Sequence, residues 1–430
     1  MSNYRSEYNS IIRKVRQHEK WFSESLPMIA SENVASRAVR EVMSSDLGQR
    51  YAEGWPGERV YAGCRYIDQI ELTAIELAKK LFRAEFVDVR PTSGVVANLA
   101  VYSALSSPGD VMMALPIPNG GHISAGKREF SGTAGLVHYL ELEYFAFDKD
   151  EMNIDVDATK KRIRELKKPI KIGMFGGSLF LFPHPVKELA AAVRDAGGTV
   201  CYDAAHVAGL IAGREFQDPL REGAEVMTFS THKTLFGPQG GAIVASKRFS
   251  EDIKKAVFPG TTSNHHLHAV AAKALLFAEF LEFGRQYAKD VVVNARALGE
   301  ELASLGEAVL GEKNGYTRSH QVALNVTKYA DGGVIEKKLE SQNIIVNRQL
   351  IPGDLQAGRH YTNPGGIRLG VAELTRLGMG ESDMKEVARI LHTAMSSDRR
   401  REVLASVKEL RRGYQTVKYG FGDSPAYFFR

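Results

Sequence analysis

Two apolar, β-prone runs in the middle of the chain each end in a reactive side chain. Thr199–Tyr202 is followed by Asp203, and Val226–Phe229 by Ser230-Thr231-His232-Lys233. Ligands of open α/β sheets sit beyond the carboxyl ends of the strands, so this carboxylate and this amine are candidates for one site. A strand-end lysine followed by small residues can form a Schiff base, meet a phosphate, or stand idle at the surface. Imine formation needs the neutral amine, which burial and a neighbour such as His232 would favour. Asp203 has a plain alternative of its own, an N-cap on a helix begun by AAHVAGL.

A third piece lies upstream, where Pro91-Thr92-Ser93-Gly94 follows a short run, Val87–Arg90, and opens a helix over about 95–105. The unpaired N–H groups and positive dipole end of such a turn suit a phosphate, although Ser before Gly is also a common cap. Pyridoxal phosphate needs a lysine for its aldehyde, a carboxylate for its pyridinium nitrogen and a phosphate cup at a helix N-terminus. Lys233, Asp203 and Ser93-Gly94 supply these in turn. A buried aspartate without a cation is costly, and a pyridinium would account for it.

The elements that must position these groups alternate. Strand patterns at 110–115, 144–147, 170–175 and 199–202 are separated by NGGHISAG, a helix at 157–167, Gly176-Gly177-Ser178 and a helix at 185–196 stopped by Gly197-Gly198. Such alternation predicts an α/β fold, a mostly parallel sheet covered by helices on both faces. Asp68–Phe82 reads as a helix with one buried face, and Ala242–Ser246 as a further strand. A helical region over about 266–305, with a break expected near Phe283-Gly284, places a domain boundary near 285. Beyond it, strand patterns at 321–327, 343–347 and 366–371 with helices at about 332–341, 381–395 and 399–412 predict a smaller α+β domain. Residues 1–25 read as a charged amphipathic arm with Ile11, Ile12 and Val15 on one stripe, able to pack on a partner subunit.

Composition bounds the function classes. The 430 residues are 44% hydrophobic and 25% charged, with 56 basic and 51 acidic side chains interspersed to a net charge of +5. That is a globular chain of more than one domain. The basic group Arg399-Arg400-Arg401, Lys408, Arg411 and Arg412 lacks interleaved aromatics and reads as a solvated helix face, so no nucleic-acid partner is expected. Two cysteines, Cys64 and Cys201, are too few for a disulfide framework and imply a reducing cytoplasm. An apolar leader and a membrane-spanning run of about 18 residues are both missing from the pattern.

The motifs together resemble the serine hydroxymethyltransferase family of fold-type-I pyridoxal phosphate enzymes, in its archaeal-type branch. The resemblance rests on ASEN (30–33), YAEGWPGERVYAGC (51–64), TSGVVAN (92–98), GGHIS (120–124), DAAHVAGL (203–210), STHKTLFGPQGG (230–241), VFPG (257–260) and GIRLG (366–370), in the family's order. It implies a cytoplasmic homodimer with domains at 26–285 and 286–430, interconverting serine and glycine. The one-carbon unit would pass to a reduced pterin, tetrahydrofolate or tetrahydromethanopterin. It further implies that Lys233 forms the Schiff base, Asp203 meets the ring nitrogen, His206 lies on the substrate side of the ring and His122 stacks on the other. Ser93, Gly94 and His232 would contact the phosphate, with Ser178 near the ring oxygen. Arg368 would bind the amino-acid carboxylate beside Ser31, while Tyr51, Glu53 and Tyr61 would come from the neighbouring subunit, Glu53 as the proton-transfer group.

Four positions depart from the commoner family pattern. Gln239 stands for an arginine, Val60 for the first of two tyrosines, Val95 for a phosphate-binding serine, and Thr261-Thr262-Ser263-Asn264 for a glycine-rich GQGG after VFPG. Val60 removes an aromatic that would face the pterin, while Val95 and the Thr261–Asn264 segment touch phosphate binding, the latter at the partner's cofactor. The catalytic core is intact and pterin recognition is the function most affected. These changes keep open a threonine aldolase or transaldolase that uses no pterin and, more remotely, a catalytically idle binding protein.

Overall fold

A computed structural model describes residues 4–429. Its large sheet has seven strands: β1 Phe86–Asp88, β2 Val111–Ala114, β3 Glu141–Tyr144, β4 Ile170–Gly176, β5 Thr199–Asp203, β6 Val226–Ser230 and β7 Gly241–Ala245. They lie in the order β1-β7-β6-β5-β4-β2-β3. Only β7 runs against its neighbours; the contacts from β6 through β5, β4 and β2 to β3 are all parallel. The α/β architecture expected from strand–helix alternation is therefore present. Both faces are covered, so β5 and β6 are buried along almost their whole length, as their near-continuous apolar sequences require.

The smaller sheet holds β8 Ala308–Val309, β9 Gln321–Asn325, β10 Asn347–Gln349 and β11 Gly366–Gly370 in the antiparallel order β8-β9-β11-β10. The helices that matter below are α1 Tyr4–Ser23, α2 Arg65–Phe82, α3 Gly94–Leu105, α4 Leu267–Ser304 and α5 Arg400–Arg412. None of the described helices is long and apolar enough to cross a membrane.

Two sequence expectations fail. The break near Phe283-Gly284 is absent, and α4 runs unbroken through 38 residues. Gly284 is small for packing: a Cβ there would lie 2.1 Å from the Phe280 ring, and its carbonyl faces Gly213 across the helix crossing. The strand expected at 144–147 is instead β3, ending at Tyr144 on the sheet edge, where only Leu142 is buried. Phe145 leaves the strand to stack on Phe175, with ring centres 4.8 Å apart. The apolar signal there belonged to a core contact.

The arm α1 buries no side chain within its own chain, and Ile11 stays 63% exposed. In the basic group on α5, by contrast, Arg411 is buried with Nε donating to the Ser25 carbonyl at 2.6 Å, and Lys408 pairs with Glu24 at 2.8 Å.

Candidate active site

β5 and β6 lie side by side with Asp203 opposite Thr228, so their ends open on the same rim of the sheet. The segment that follows β6 turns Lys233 back into the protein, where it is 8% exposed. Burial lowers its pKa to about 8, with Arg368 acting in the same direction and Asp203 opposing. His122 and His206 are lowered as well, by burial first, and both sense the charges of Lys233 and Arg368. Lys233, Asp203, His122, His206 and Arg368 thus share one small volume.

Asn98, one turn into α3, is the hub on the Asp203 side. Its Nδ2 donates to Asp203 Oδ2 at 2.8 Å and to Ser124 Oγ at 2.9 Å, while its Oδ1 accepts from Thr228 Oγ1 at 2.5 Å. Ser124 continues the chain to His122 Nδ1 at 2.7 Å, and its backbone N–H also donates to that nitrogen at 3.1 Å, which leaves the imidazole proton on Nε2. Asp203 Oδ1 accepts from the Ala205 N–H at 2.9 Å. The next helix begins only at Ala208, with Val207 as its cap. Asp203 therefore does not cap that helix, and all its hydrogen bonds come from neutral donors.

Gln321, at the start of β9, is the hub on the other side. The Phe180 N–H donates to its Oε1 at 2.8 Å, which fixes the amide so that Nε2 donates to the Ser178 carbonyl at 3.0 Å and to His206 Nδ1 at 2.9 Å. The His206 proton is thereby placed on Nε2. Arg368, inside β11 and 6% exposed, donates through Nη1 to Ser178 O at 2.6 Å and Ser178 Oγ at 3.1 Å, and through Nε to Asn347 Oδ1 at 3.3 Å. Its pKa falls to about 10 through burial alone. No carboxylate answers this guanidinium among the described residues.

At the start of α3, Ser93 Oγ accepts from the Val96 N–H at 3.1 Å, leaving the N–H groups of Gly94 and Val95 for an outside acceptor. A Cβ on Gly94 would lie 2.5 Å from Ser230 Oγ, so only glycine lets this turn come so close to the end of β6. His232 stands nearby, its pKa lowered to about 4 by burial and then by Lys233 and Lys273. Its Nδ1 is buried without a partner.

Ser31 sits on a segment stitched to β11: Gly370 N–H donates to the Met28 carbonyl at 2.7 Å, and His320 Nε2 to the Ala30 carbonyl at 3.0 Å. Two residues on, Asn33 Nδ2 donates to the Lys233 carbonyl and the Tyr287 hydroxyl, each at 2.8 Å. Tyr51, Glu53 and Tyr61 lie elsewhere. The two tyrosine rings are 5.2 Å apart and 54% and 44% exposed, and Glu53 accepts from Ser263 Oγ. No hydrogen bond among the described residues joins these three to the Lys233 cluster.

Asn98, Gln321 and Asn33 went unread in the sequence. Asn98 and Asn33 ended motifs already noted, TSGVVAN and ASEN, where a buried amide at the close of a strand-end or substrate motif was the available signal. Among the described residues no group of His, Cys, Asp and Glu could hold a metal ion.

The profile of a family described as Serine hydroxymethyltransferase matches residues 3–391. The chain is 62% identical to a serine hydroxymethyltransferase of Cenarchaeum symbiosum, over 99% of this chain and 98% of that protein. Proteins of the same name from Nitrosopumilus maritimus and Methanopyrus kandleri are 59% and 52% identical, covering 98% and 97% of this chain and 97% and 96% of their own lengths. With matches of this extent, and the strand-end lysine, aspartate and arginine in place, the chain belongs to the serine hydroxymethyltransferase family.

Proposed function

We propose that this chain interconverts serine and glycine, breaking and re-forming the Cα–Cβ bond with pyridoxal 5'-phosphate as cofactor and a reduced pterin, tetrahydrofolate or tetrahydromethanopterin, as one-carbon carrier. The observation that carries this reading is a set of buried ionisable groups, none in an ion pair among the described residues, although Asp203 and Lys233 feel each other's charge. Arg368 faces no carboxylate, Asp203 has only neutral donors, and Lys233 has a pKa lowered to about 8. They match an amino-acid carboxylate, a protonated ring nitrogen and an aldehyde respectively.

The residues fit the cofactor. The N–H groups of Gly94 and Val95 at the open end of α3 are left for a phosphate, and the buried His232 Nδ1, without a partner, is a further group it could satisfy. When bound, pyridoxal phosphate supplies an aldehyde and a ring that accepts the electron pair released at the substrate carbon. Lys233 provides the neutral amine. Asp203, held by Asn98, orients on the ring nitrogen. His206 and His122, both neutral and both protonated on Nε2, flank the ring, and Ser178 keeps Arg368 aimed at the substrate beside Ser31. Ser93, Gly94 and His232 hold the phosphate.

In the same reading the chain works as a homodimer. Tyr51, Glu53 and Tyr61 reach the site of a second copy, Glu53 moving protons between the serine hydroxyl, the pterin and solvent. The lack of any hydrogen bond from these three to their own chain's Lys233 cluster among the described residues supports that arrangement, as does the exposed first half of α1, whose Ile11 is 63% exposed. Residues 26–285 then carry the cofactor and 286–430 form the smaller domain.

The test is serine cleavage measured with and without each pterin, beside acetaldehyde release from threonine. Cleavage stimulated by one pterin is expected. Serine cleavage indifferent to both pterins, together with faster release from threonine, would replace the proposal with an aldolase.

A further inference from the structure

The departure of Thr261-Thr262-Ser263-Asn264 from a glycine-rich run has a structural counterpart. Asn264 grips the loop that carries Tyr51 and Glu53 from both sides: its Oδ1 accepts from the Ala52 N–H at 3.0 Å, and its Nδ2 donates to the Arg50 carbonyl at 2.9 Å. Ser263 Oγ donates to the Glu53 carboxylate. Glycine has no side chain, so none of these three bonds could form with glycines at 263 and 264.

The base of the same loop is held separately. Arg59 donates to the carbonyls of Ala52 and Gly54, both at 2.7 Å, and to Glu71 Oε2, also at 2.7 Å. His265, the residue after Asn264, donates from Nε2 to that same Glu71 oxygen at 2.8 Å. One buried carboxylate therefore anchors both segments; Asn264 adds a hold on Arg50 and Ala52, and Ser263 alone reaches the Glu53 carboxylate.

We propose that Ser263 and Asn264 are positioning residues for Glu53. Asn264 fixes the backbone of residues 50–52, and Ser263 selects one orientation of the Glu53 carboxylate for proton transfer. The Ser263 half rests on the reading of Glu53 as the proton-transfer group; the Asn264 half does not, because it concerns backbone order alone.

The holoenzyme tests both. In Asn264→Gly, exchange of the Ala52 amide hydrogen should quicken by about tenfold, the loss of one protecting bond in a loop. In Ser263→Ala, kcat for serine with pterin should fall by about fivefold, a value suited to one partly exposed hydrogen bond to a charge. Ser263→Thr, which keeps the hydroxyl, should restore it. Adding Ser263→Ala to Glu53→Gln should change kcat less than about twofold, since a residue acting through Glu53 has nothing left to orient.

Independent, multiplying losses would overturn the Ser263 assignment, and weakened cofactor retention in the same variant would point instead to a phosphate role. If Glu53→Gln alone keeps full activity, the proton-transfer reading falls and the Ser263 half with it. Unchanged exchange at Ala52 would sink the Asn264 half whatever Glu53 does.

Discussion

Two of the buried charge clusters among the described residues are built on opposite plans. Around Arg59 each cation has its answer: Arg59 pairs with Asp68 at 2.8 Å and Glu71 at 2.7 Å, Arg90 with Asp88 at 2.5 Å, and Lys273 Nζ is surrounded by the carbonyls of Val89, Pro91 and Gly241 at 2.7 to 3.1 Å. Burial pushes the Glu71 pKa up, but His265 and Arg59 outweigh it and the net shift is downward. Around Lys233 the charges meet amides, hydroxyls and backbone instead. A buried charge costs several kcal/mol unless something compensates it. The paired cluster is compensated from within, whereas the unpaired one is, in the proposed reading, left for a ligand to complete.

If so, the two clusters must respond differently to truncation. Glu71→Ala leaves buried Arg59 with Asp68 as its one carboxylate and takes the acceptor from His265, and should destabilise the apoprotein by ~3 kcal/mol, the low end for breaking a buried pair. A melting curve checks it. Arg368→Met removes a charge that no carboxylate answers, so the apoprotein should melt no lower than the parent. The loss should appear in binding, as a KM for serine raised roughly 10- to 100-fold, the worth of a charge-assisted hydrogen bond pair. A drop in melting temperature matching that of Glu71→Ala would break the comparison.

The unpaired cluster also sets a pH dependence of definite sign. An ordinary lysine, at 10.5, is almost entirely protonated near neutrality, but Lys233 is lowered to about 8. Its free-amine fraction is then about one in ten at pH 7 and rises with pH until it levels above 8. The rate at which apoprotein captures pyridoxal phosphate should climb through the same range, with a midpoint near 8, after allowance for the cofactor's own titration. A midpoint near 10 would mean that the amine is not buried in the apoprotein.

How much of this could be read from the sequence follows the same division. Lys233, Asp203 and Gly94 were legible because each stands at a strand end or in a local motif whose residue types suit that chemistry, whereas Arg368 came only with the family resemblance through GIRLG. The alternation of elements gave the large sheet, with β3 displaced because Phe145 is apolar for the sake of Phe175. Asn98 and Gln321 were not legible: the partners of Asn98 come from three separate segments and those of Gln321 from two, and only the register of β5 against β6, or the docking of β9 on the large sheet, brings them together. The Glu71 cluster was hidden for the same reason. Its members lie at positions 59, 68, 71, 88, 90, 265 and 273, where each reads as an ordinary surface charge.

Asn33 offers the finest division between holding a site and filling it. Its Nδ2 joins the Lys233 carbonyl to the Tyr287 hydroxyl, which donates onward to the Ala372 carbonyl at 3.1 Å, while its Oδ1 accepts from the Val34 N–H at 2.9 Å. The bridge thus fixes the lysine's backbone to the segment that bears Ser31 and to the residues just beyond β11. Asn33→Ala leaves the Tyr287 hydroxyl its acceptor at Ala372 but takes a neutral donor from the Lys233 carbonyl, a loss of ~1 kcal/mol in stability. Arg368 keeps every hydrogen bond it has, so the KM for serine should stay put while kcat drops by about three- to tenfold, because a loosened Lys233 backbone misplaces the amine. A raised KM with kcat intact would show that Asn33 acts through Ser31 and the carboxylate side, and that the lysine is held by the β6 loop alone.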